Sequence, residues 1–458
     1  MPTDRPNVLF ILSDDQGPWA AGCYGNPEIR TPNLDRIAAT GVRFETFFVA
    51  TPVCSPSRAT YLTGLIPSQH GIHDWLYSGE SEPDRPNYNV GPDARGLLDH
   101  TTAYTDVLAA NGYRCGISGK WHLGDSLRPQ RGFDHWFVHE KGGGPYNNAP
   151  MVRDGKLGIE PGYVTDVITN EALRFLEDHR RTRAPQPFYL SVHYTAPHSP
   201  WTGHPQEIVE SYDDCPFESC PQEPPHPWAG ALTRGNMGKR ESLKGYFAAV
   251  TAMDAQIGRL LDWLEQRGLR QDTLVVFVSD NGFSCGHHGF WGKGNGTEPR
   301  NMYENSIRVP ALFSHPGTLP QGHVSDAMVS AYDFMPTLLE YVGMEMPHER
   351  PRPGRSFLPA LRDQAGGGRE EVVIYDEYGP VRMIRTREWK YVCRHPDGPN
   401  ELFDLVNDAD ERRNVVDDAG NATRVRELHA RLEDWFKQYV EAERDGLKVR
   451  PGAAPGTW

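Results

Sequence analysis

A chain of 458 residues is longer than one hydrophobic core ordinarily supports, so one large domain and a smaller one are expected. With 38% hydrophobic and 24% charged residues the composition is that of a globular protein, and no apolar run approaches the ~20 residues of a membrane span, which excludes a membrane-embedded chain. A formal net charge of -14 argues against a nucleic-acid partner, because phosphate binding needs a basic face; an anionic substrate would require a locally basic pocket.

No charged region followed by an apolar stretch and a small-residue cleavage site opens the chain, which therefore reads as cytoplasmic, or as the mature form of an exported protein. The seven cysteines are mostly scattered, as in reduced proteins. Cys215 and Cys220 are the exception, since they share a proline-rich loop and could form a local disulfide after export. Asn295-Gly296-Thr297 and Asn421-Ala422-Thr423 match glycosylation sequons.

In chain order, Asn7 to Ser13 reads as a buried strand that runs into Asp14-Asp15. Pro56 suits the first turn of a helix following Cys54. Val164 to His179 has helical periodicity, Phe188 to Tyr194 is a second strand followed by Pro197-His198, and Leu243 to Gln266 is a strongly amphipathic helix stopped by Gly268. Thr273 to Ser279 is a third strand, leading into Asp280-Asn281. This alternation over the first 345 residues is the doubly wound α/β pattern, in which ligands bind beyond the carboxyl ends of parallel strands; the three polar strand ends should therefore converge on one site. Aperiodic stretches at Ser78 to Leu97, Asp125 to Gly162 and Ser199 to Lys239 are expected as loops walling the cleft. After Gly366-Gly367-Gly368, short strands at Val372 to Tyr378, Val381 to Thr386 and Lys390 to Arg394 and a helix from Arg424 to Glu443 predict a small α+β unit, giving domains 1–365 and 366–458.

Adjacent like charges such as Asp14 and Asp15 are costly at a strand end unless a cation offsets them. Either acidic pair alone could cap a helix or form a turn, but Asp14-Asp15 and Asp280-Asn281 at parallel strand ends together supply oxygen donors only. Such a set suits a hard cation, calcium or magnesium, and disfavours zinc.

Residues 54–64, Cys54-Ser55-Pro56-Ser57-Arg58-Ala59-Thr60-Tyr61-Leu62-Thr63-Gly64, match the first signature of the type I sulfatases, in which a maturation enzyme oxidises the cysteine to a formylglycine aldehyde. Gly112 to Gly124, containing Gly119-Lys120-Trp121-His122-Leu123-Gly124, resembles the second signature of that family, departing from it at Cys115. Lys293 ahead of Tyr303-Glu304, His198 in Ala196-Pro197-His198, and Glu401 to Leu405 with Asn414-Val415 extend the resemblance over most of the chain. It implies an alkaline-phosphatase-like fold and a sulfuric ester hydrolase acting on a sulfated small molecule or glycan. It also implies a divalent cation, calcium first and magnesium second, held by Asp14, Asp15, Cys54, Asp280 and Asn281.

The resemblance further implies the division of labour. The hydrated aldehyde at position 54 attacks sulfur with Asp280 as base, and Arg58 holds the aldehyde residue. His122 takes the proton of the second hydroxyl when the sulfate is expelled, and Lys120, Lys293 and His198 bind sulfate oxygens, with His198 or Lys293 protonating the leaving oxygen. His73 and Asp74 either pack at a helix end or reach the leaving group, and His287 and His288 carry the same two readings. A glycan at Asn295 would crowd this site. A phosphodiester or phosphonate monoester hydrolase of the same superfamily is the alternative, with a noncatalytic relative behind it.

Overall fold

The structure is a computed structural model that describes residues 5–76, 87–376 and 380–448. At its centre five parallel strands lie side by side in the order Thr273–Ser279, Asn7–Ser13, Phe188–His193, Arg114–Gly119 and His135–His139. Strands buried on both faces need near-continuous apolar sequence, and Asn7–Ser13 and Thr273–Ser279 have it. Ala311–Ser314 closes one side antiparallel to Thr273–Ser279, followed outward by Val42–Phe44 and His323–Ser325.

On the other side the structure departs from the expected loop at Asp125 to Gly162. His135–His139 pairs with Asn147–Arg153, which pairs with Lys156–Tyr163, so three strands extend the sheet there. The outermost strand is exposed along most of its length, with Ile159 at 65%, so backbone pairing holds it and no hydrophobic period marks it in the sequence. The stretch after Ser199 carries only short helices, at Gln206–Glu210 and Ala231–Asn236. Part of the expected loop at Ser78 to Leu97, the end of the strand expected to reach Tyr378, and the last residues of the chain lie outside the described residues.

Helices cover both faces of the sheet. Val164–Thr182 and Arg240–Gln266 pack on one, burying Ile168, Phe175, Met253 and Ile257 against Leu9 and Ile11. Cys54–Thr63 lies on the other, with every residue buried, and ends at Gly64, whose φ of 65° is the left-handed geometry a glycine provides after a helix. Tyr61 anchors it by donating a hydrogen bond to Ser279 O at 3.1 Å. The strands Glu371–Asp376, Val381–Thr386, Trp389–Arg394 and Glu401–Asp404 form an antiparallel sheet. One of its faces, with Val372, Ile374 and Met383, continues the main core; the other, with Val373, Tyr375 and Ile384, packs on Leu428, Leu432 and Phe436 of helix Ala422–Tyr439. No described helix is long and apolar enough to cross a membrane.

Candidate active site

The carboxyl ends of the parallel strands bring together the residues read as chemical in the sequence. Parallel register places Ser13 beside Ser279, so Asp14-Asp15 and Asp280-Asn281 emerge next to each other. Asp14, Asp15 and Asp280 offer oxygens within 4.8 Å of one another, an acidic site able to hold a metal ion. Asp15 adopts φ 70°, a left-handed conformation that costs a non-glycine residue energy; its amide donates to Asp280 Oδ1 at 3.3 Å.

Cations from three other segments meet these carboxylates. Lys120 pairs with Asp14, Arg58 Nε donates to Asp280 Oδ2 at 2.9 Å, and Arg58 also donates to Lys120 O at 3.0 Å. Lys293 Nζ reaches Asp15 Oδ1 at 2.6 Å, Cys54 Sγ at 2.8 Å and Asn281 Oδ1 at 3.4 Å. Asn281 Nδ2 donates to Asp15 Oδ1 at 2.7 Å, and Cys54 Sγ lies 3.6 Å from Asp14 Oδ1. Three of the five residues expected as metal ligands thus already face one positive charge, and the donor set fits a hard divalent cation.

The electrostatics follow from burial against charge. Burial pushes Asp14 upward, yet Lys120, His198 and Arg58 hold it below the ordinary carboxylate range; Asp15 is held down against the same penalty by Lys293 and His198. Asp280 goes the other way: burial and the Asp14 charge raise it despite Arg58 and both lysines. Burial works to lower Lys293, but the surrounding carboxylates raise it well above a free lysine, keeping it cationic. Burial pushes the Cys54 thiol up to about 11 in spite of Lys120 and Lys293, so the unmodified side chain is a neutral thiol and a poor nucleophile at neutral pH.

Above the carboxylates opens a cavity of about 510 Å³, the size of a small-molecule site. Asp15, Cys54, His122, His198 and Lys293 line its reactive side, with Trp75, Leu76, Trp201 and Phe283 on the walls. His122 donates from Nε2 to Leu76 O at 3.1 Å, which fixes its tautomer with the lone pair on Nδ1; burial and then Lys120 lower it well below a free histidine, leaving it neutral. It too has a left-handed backbone, φ 58°. His198 donates from Nδ1 to Ser199 O at 2.8 Å and points Nε2 at Asp15 Oδ2, 3.9 Å away. A second cavity of about 580 Å³ lies at the amino ends of the strands, beside Asn7 and Phe188, away from this chemistry.

Three expected substrate contacts are placed elsewhere. His73 and Asp74 are buried and are not among the residues lining the cavity, while their neighbour Trp75 is; Asp74 Oδ1 accepts a hydrogen bond from the Trp75 amide at 2.6 Å. His288 stacks on Tyr303 with ring centroids 4.0 Å apart, also outside the cavity lining, and His287 donates to Ser219 O at 3.0 Å. These contacts favour the packing reading for Asp74, His287 and His288. The sequence reading missed Lys141, Gly142 and Gly143, which sit in an aperiodic stretch with only a run of glycines as signal, and Trp201, three residues beyond His198. Cys215 and Cys220 are free thiols here, and the sulfur partner of Cys220 is Cys285.

A family model described as Sulfatase matches residues 6–344, and another, described as N-sulphoglucosamine sulphohydrolase, C-terminal, matches residues 286–438. The chain belongs to the sulfatase family. It is 28% identical, over 97% of its own length and 88% of the other's, to an N-acetylglucosamine-6-O-sulfatase of Bacteroides thetaiotaomicron. It is 32% identical to an N-acetylgalactosamine-6-sulfatase of Canis lupus familiaris, covering 83% of this chain and 70% of that one. A solved structure of a protein in complex with its substrate D-glucosamine-2-N,6-O-disulfate superposes with a TM-score of 0.79 at 26% identity, covering 98% of this chain and all of that one. The fold is also that of a phosphonate monoester hydrolase of Agrobacterium radiobacter, at TM-score 0.70 and 21% identity. This sulfatase is therefore an enzyme that hydrolyses sulfate esters, with its reactive residues gathered at the carboxyl edge of the sheet.

Proposed function

We propose that this sulfatase releases sulfate from a sulfated carbohydrate, an amino sugar sulfated at its 6-position being the first candidate, through a formylglycine made from Cys54 by a maturation enzyme. The observation that carries the reading is the position of Cys54: it heads a buried helix beside Asp14, touches the Lys293 ammonium, and opens to the cavity. The names of the relatives support the carbohydrate, and the aromatic walls formed by Trp75 and Trp201 suit a sugar ring.

A divalent cation, calcium by preference, would be held by Asp14, Asp15, Asp280 and Asn281 together with residue 54, and would polarise sulfate oxygens and offset the three carboxylates. The chain's own groups do the rest. Lys293 at the cavity wall presents its ammonium to the sulfate and steadies it as charge builds on its oxygens, and Lys120, buried against Asp14 beneath the cavity, adds positive charge from behind. Arg58, locked on Asp280, fixes that carboxylate within the acidic cluster. Neutral His122, with its lone pair on Nδ1, is able to accept a proton from residue 54, and His198 at the cavity edge is placed to pass one to the departing alcohol oxygen.

Two measurements test the proposal. Mass spectrometry of the peptide containing residue 54 should show the aldehyde in protein made with a maturation enzyme, and that protein should release sulfate from N-acetylglucosamine-6-sulfate faster than it cleaves an aryl phosphodiester. Multiple turnover with an intact thiol at position 54, or a preference for the phosphodiester, would overturn it. Chelation should abolish turnover, and calcium at ~100 times its dissociation constant should stabilise the chelated protein by about 2.7 kcal/mol, read as a rise in melting temperature.

A further inference from the structure

Three cysteines lie behind one wall of the active-site cavity. Cys215 and Cys220 belong to the stretch Ser199 to Lys239, whose Trp201 and Leu232 line the cavity. Cys285 belongs to the hairpin that pairs Ser284–Cys285 with Trp291–Gly292; Asn281 and Phe283 lead into it and Lys293 leaves it. Cys220 and Cys285 are both shut off from water, and they pack in one apolar cluster with Phe217, Phe247 and Trp291.

The backbone holds these two residues together. Gln222 Nε2 donates to Cys220 O and to Cys285 O at 2.8 Å each, so one amide clasps both. Immediately beyond them a Cβ on Gly286, whose φ is 111°, would come within 2.6 Å of Pro221 O, and the Glu223 amide donates to Gly286 O at 3.4 Å. Glycine permits that close approach. The side chains complete the contact, since burial and then the Cys220 sulfur raise the Cys285 thiol. Cys215 is half-buried at the border of the cluster, with its carbonyl held by Arg240 Nη2 at 2.8 Å. The short spacing that pairs Cys215 with Cys220 in the sequence is not the pairing the fold prepares.

We propose that Cys220 and Cys285 form a disulfide site, whose bridge fastens the cavity wall to the hairpin between Asn281 and Lys293. On oxidation each thiol releases its proton and one S–S bond forms. The two electrons reduce the disulfide of an exchange partner, glutathione disulfide or a thiol oxidoreductase, to two thiols. Both sulfurs are buried once the wall is in place, so the bond is made while the chain folds. It links residues 65 positions apart, and long loops gain most from such closure.

The test uses the full chain secreted into an oxidising compartment and the same chain made in a reducing cytoplasm, each alkylated in denaturant and digested without reductant. Cleavage after Glu218 separates Cys215 from Cys220, so mass mapping distinguishes the pairings. The secreted protein should yield a Cys220–Cys285 cross-linked peptide with Cys215 alkylated, and the cytoplasmic protein three alkylated thiols. A Cys215–Cys220 bridge, a Cys215–Cys285 bridge, or three alkylated thiols after secretion would overturn the assignment. Reductant should lower the melting temperature of the secreted wild type by roughly 5 °C and leave that of Cys220→Ala and Cys285→Ala unmoved. The same drop in both variants, or none in the wild type, would overturn the bridge as a fastening of the wall. Neither readout depends on sulfate release, so the proposed function stands or falls separately.

Discussion

Arg58 presents two nitrogens to Asp280 Oδ2, at 2.9 and 2.8 Å, while it also lies 3.8 Å from Asp14 Oδ2. Both partners are shut off from water, so the pair cannot be replaced by solvation. Removing one member of a buried pair typically costs about 3–5 kcal/mol, because the other charge stays buried alone. Arg58→Ala is expected to lower the unfolding free energy of the cation-free protein on that scale; a urea titration showing a loss under ~1 kcal/mol, the usual worth of an exposed pair, would contradict the assignment.

Elements matter where they bring backbone to a reacting side chain. The helix Cys54–Thr63 points its amino end, with its unpaired N–H groups and partial positive charge, at the strand ends where an anionic substrate group would sit. Gly142 is the second such case, since a Cβ there would overlap three atoms of the His122 ring. Gly142→Ala is expected to displace the His122 ring and reduce kcat by on the order of 100-fold, as misplacement of a catalytic group by ~1 Å does, with little change in melting temperature. Gly143→Ala, at 3.4 Å from His198, should be milder. Equal kcat values for the two variants and the wild type would show that neither contact positions a histidine.

Across the whole molecule, the small C-terminal sheet is tied to the large one by a buried ionic knot. Lys390, in the strand Trp389–Arg394, pairs with Glu304 at 2.8 Å and with Glu411, and donates to Met302 O at 3.0 Å. Burial, with the Glu304 charge, raises Glu411 to about 7 against the pull of Lys390, whereas Glu304, though burial raises it, is drawn down to about 2 by Lys390, Arg385 and Arg308. The two therefore act at opposite ends of the pH scale. Glu304 supports the fold above its ordinary value and loses that support as pH falls through about 2. Glu411, raised in the fold, supports it below the ordinary glutamate value and withdraws as pH rises through about 7. Stability to urea is expected to fall between about pH 4.5 and pH 7, and Glu411→Gln should remove that part of the fall. A decline of the same size in the variant would assign it to other groups.

The sequence by itself determined the class of reaction and the residues that gather at the carboxyl ends of the strands. The Cys54-to-Gly64 segment carries the chemistry in contiguous positions, and the parallel strands Asn7–Ser13 and Thr273–Ser279 announce themselves because burial on both faces demands unbroken apolar runs. Their polar ends needed no further signal, since a doubly wound sheet gathers its strand ends. The outer hairpin Asn147–Tyr163 was illegible because an exposed edge is held by backbone hydrogen bonds that any sequence supplies. Asp74 and His288 read as chemical by residue type alone, and only packing shows the turn contact of one and the ring stack of the other. Gly142 and Gly143 were overlooked for the converse reason: their meaning is their distance from His122 and His198, groups that lie 20 and 55 positions away in the chain and are brought alongside by the fold. Local sequence can encode a modified side chain or a buried strand, because each is a property of neighbouring residues; the shape and charge of a substrate cavity are sums over distant ones, and tertiary structure alone decides them.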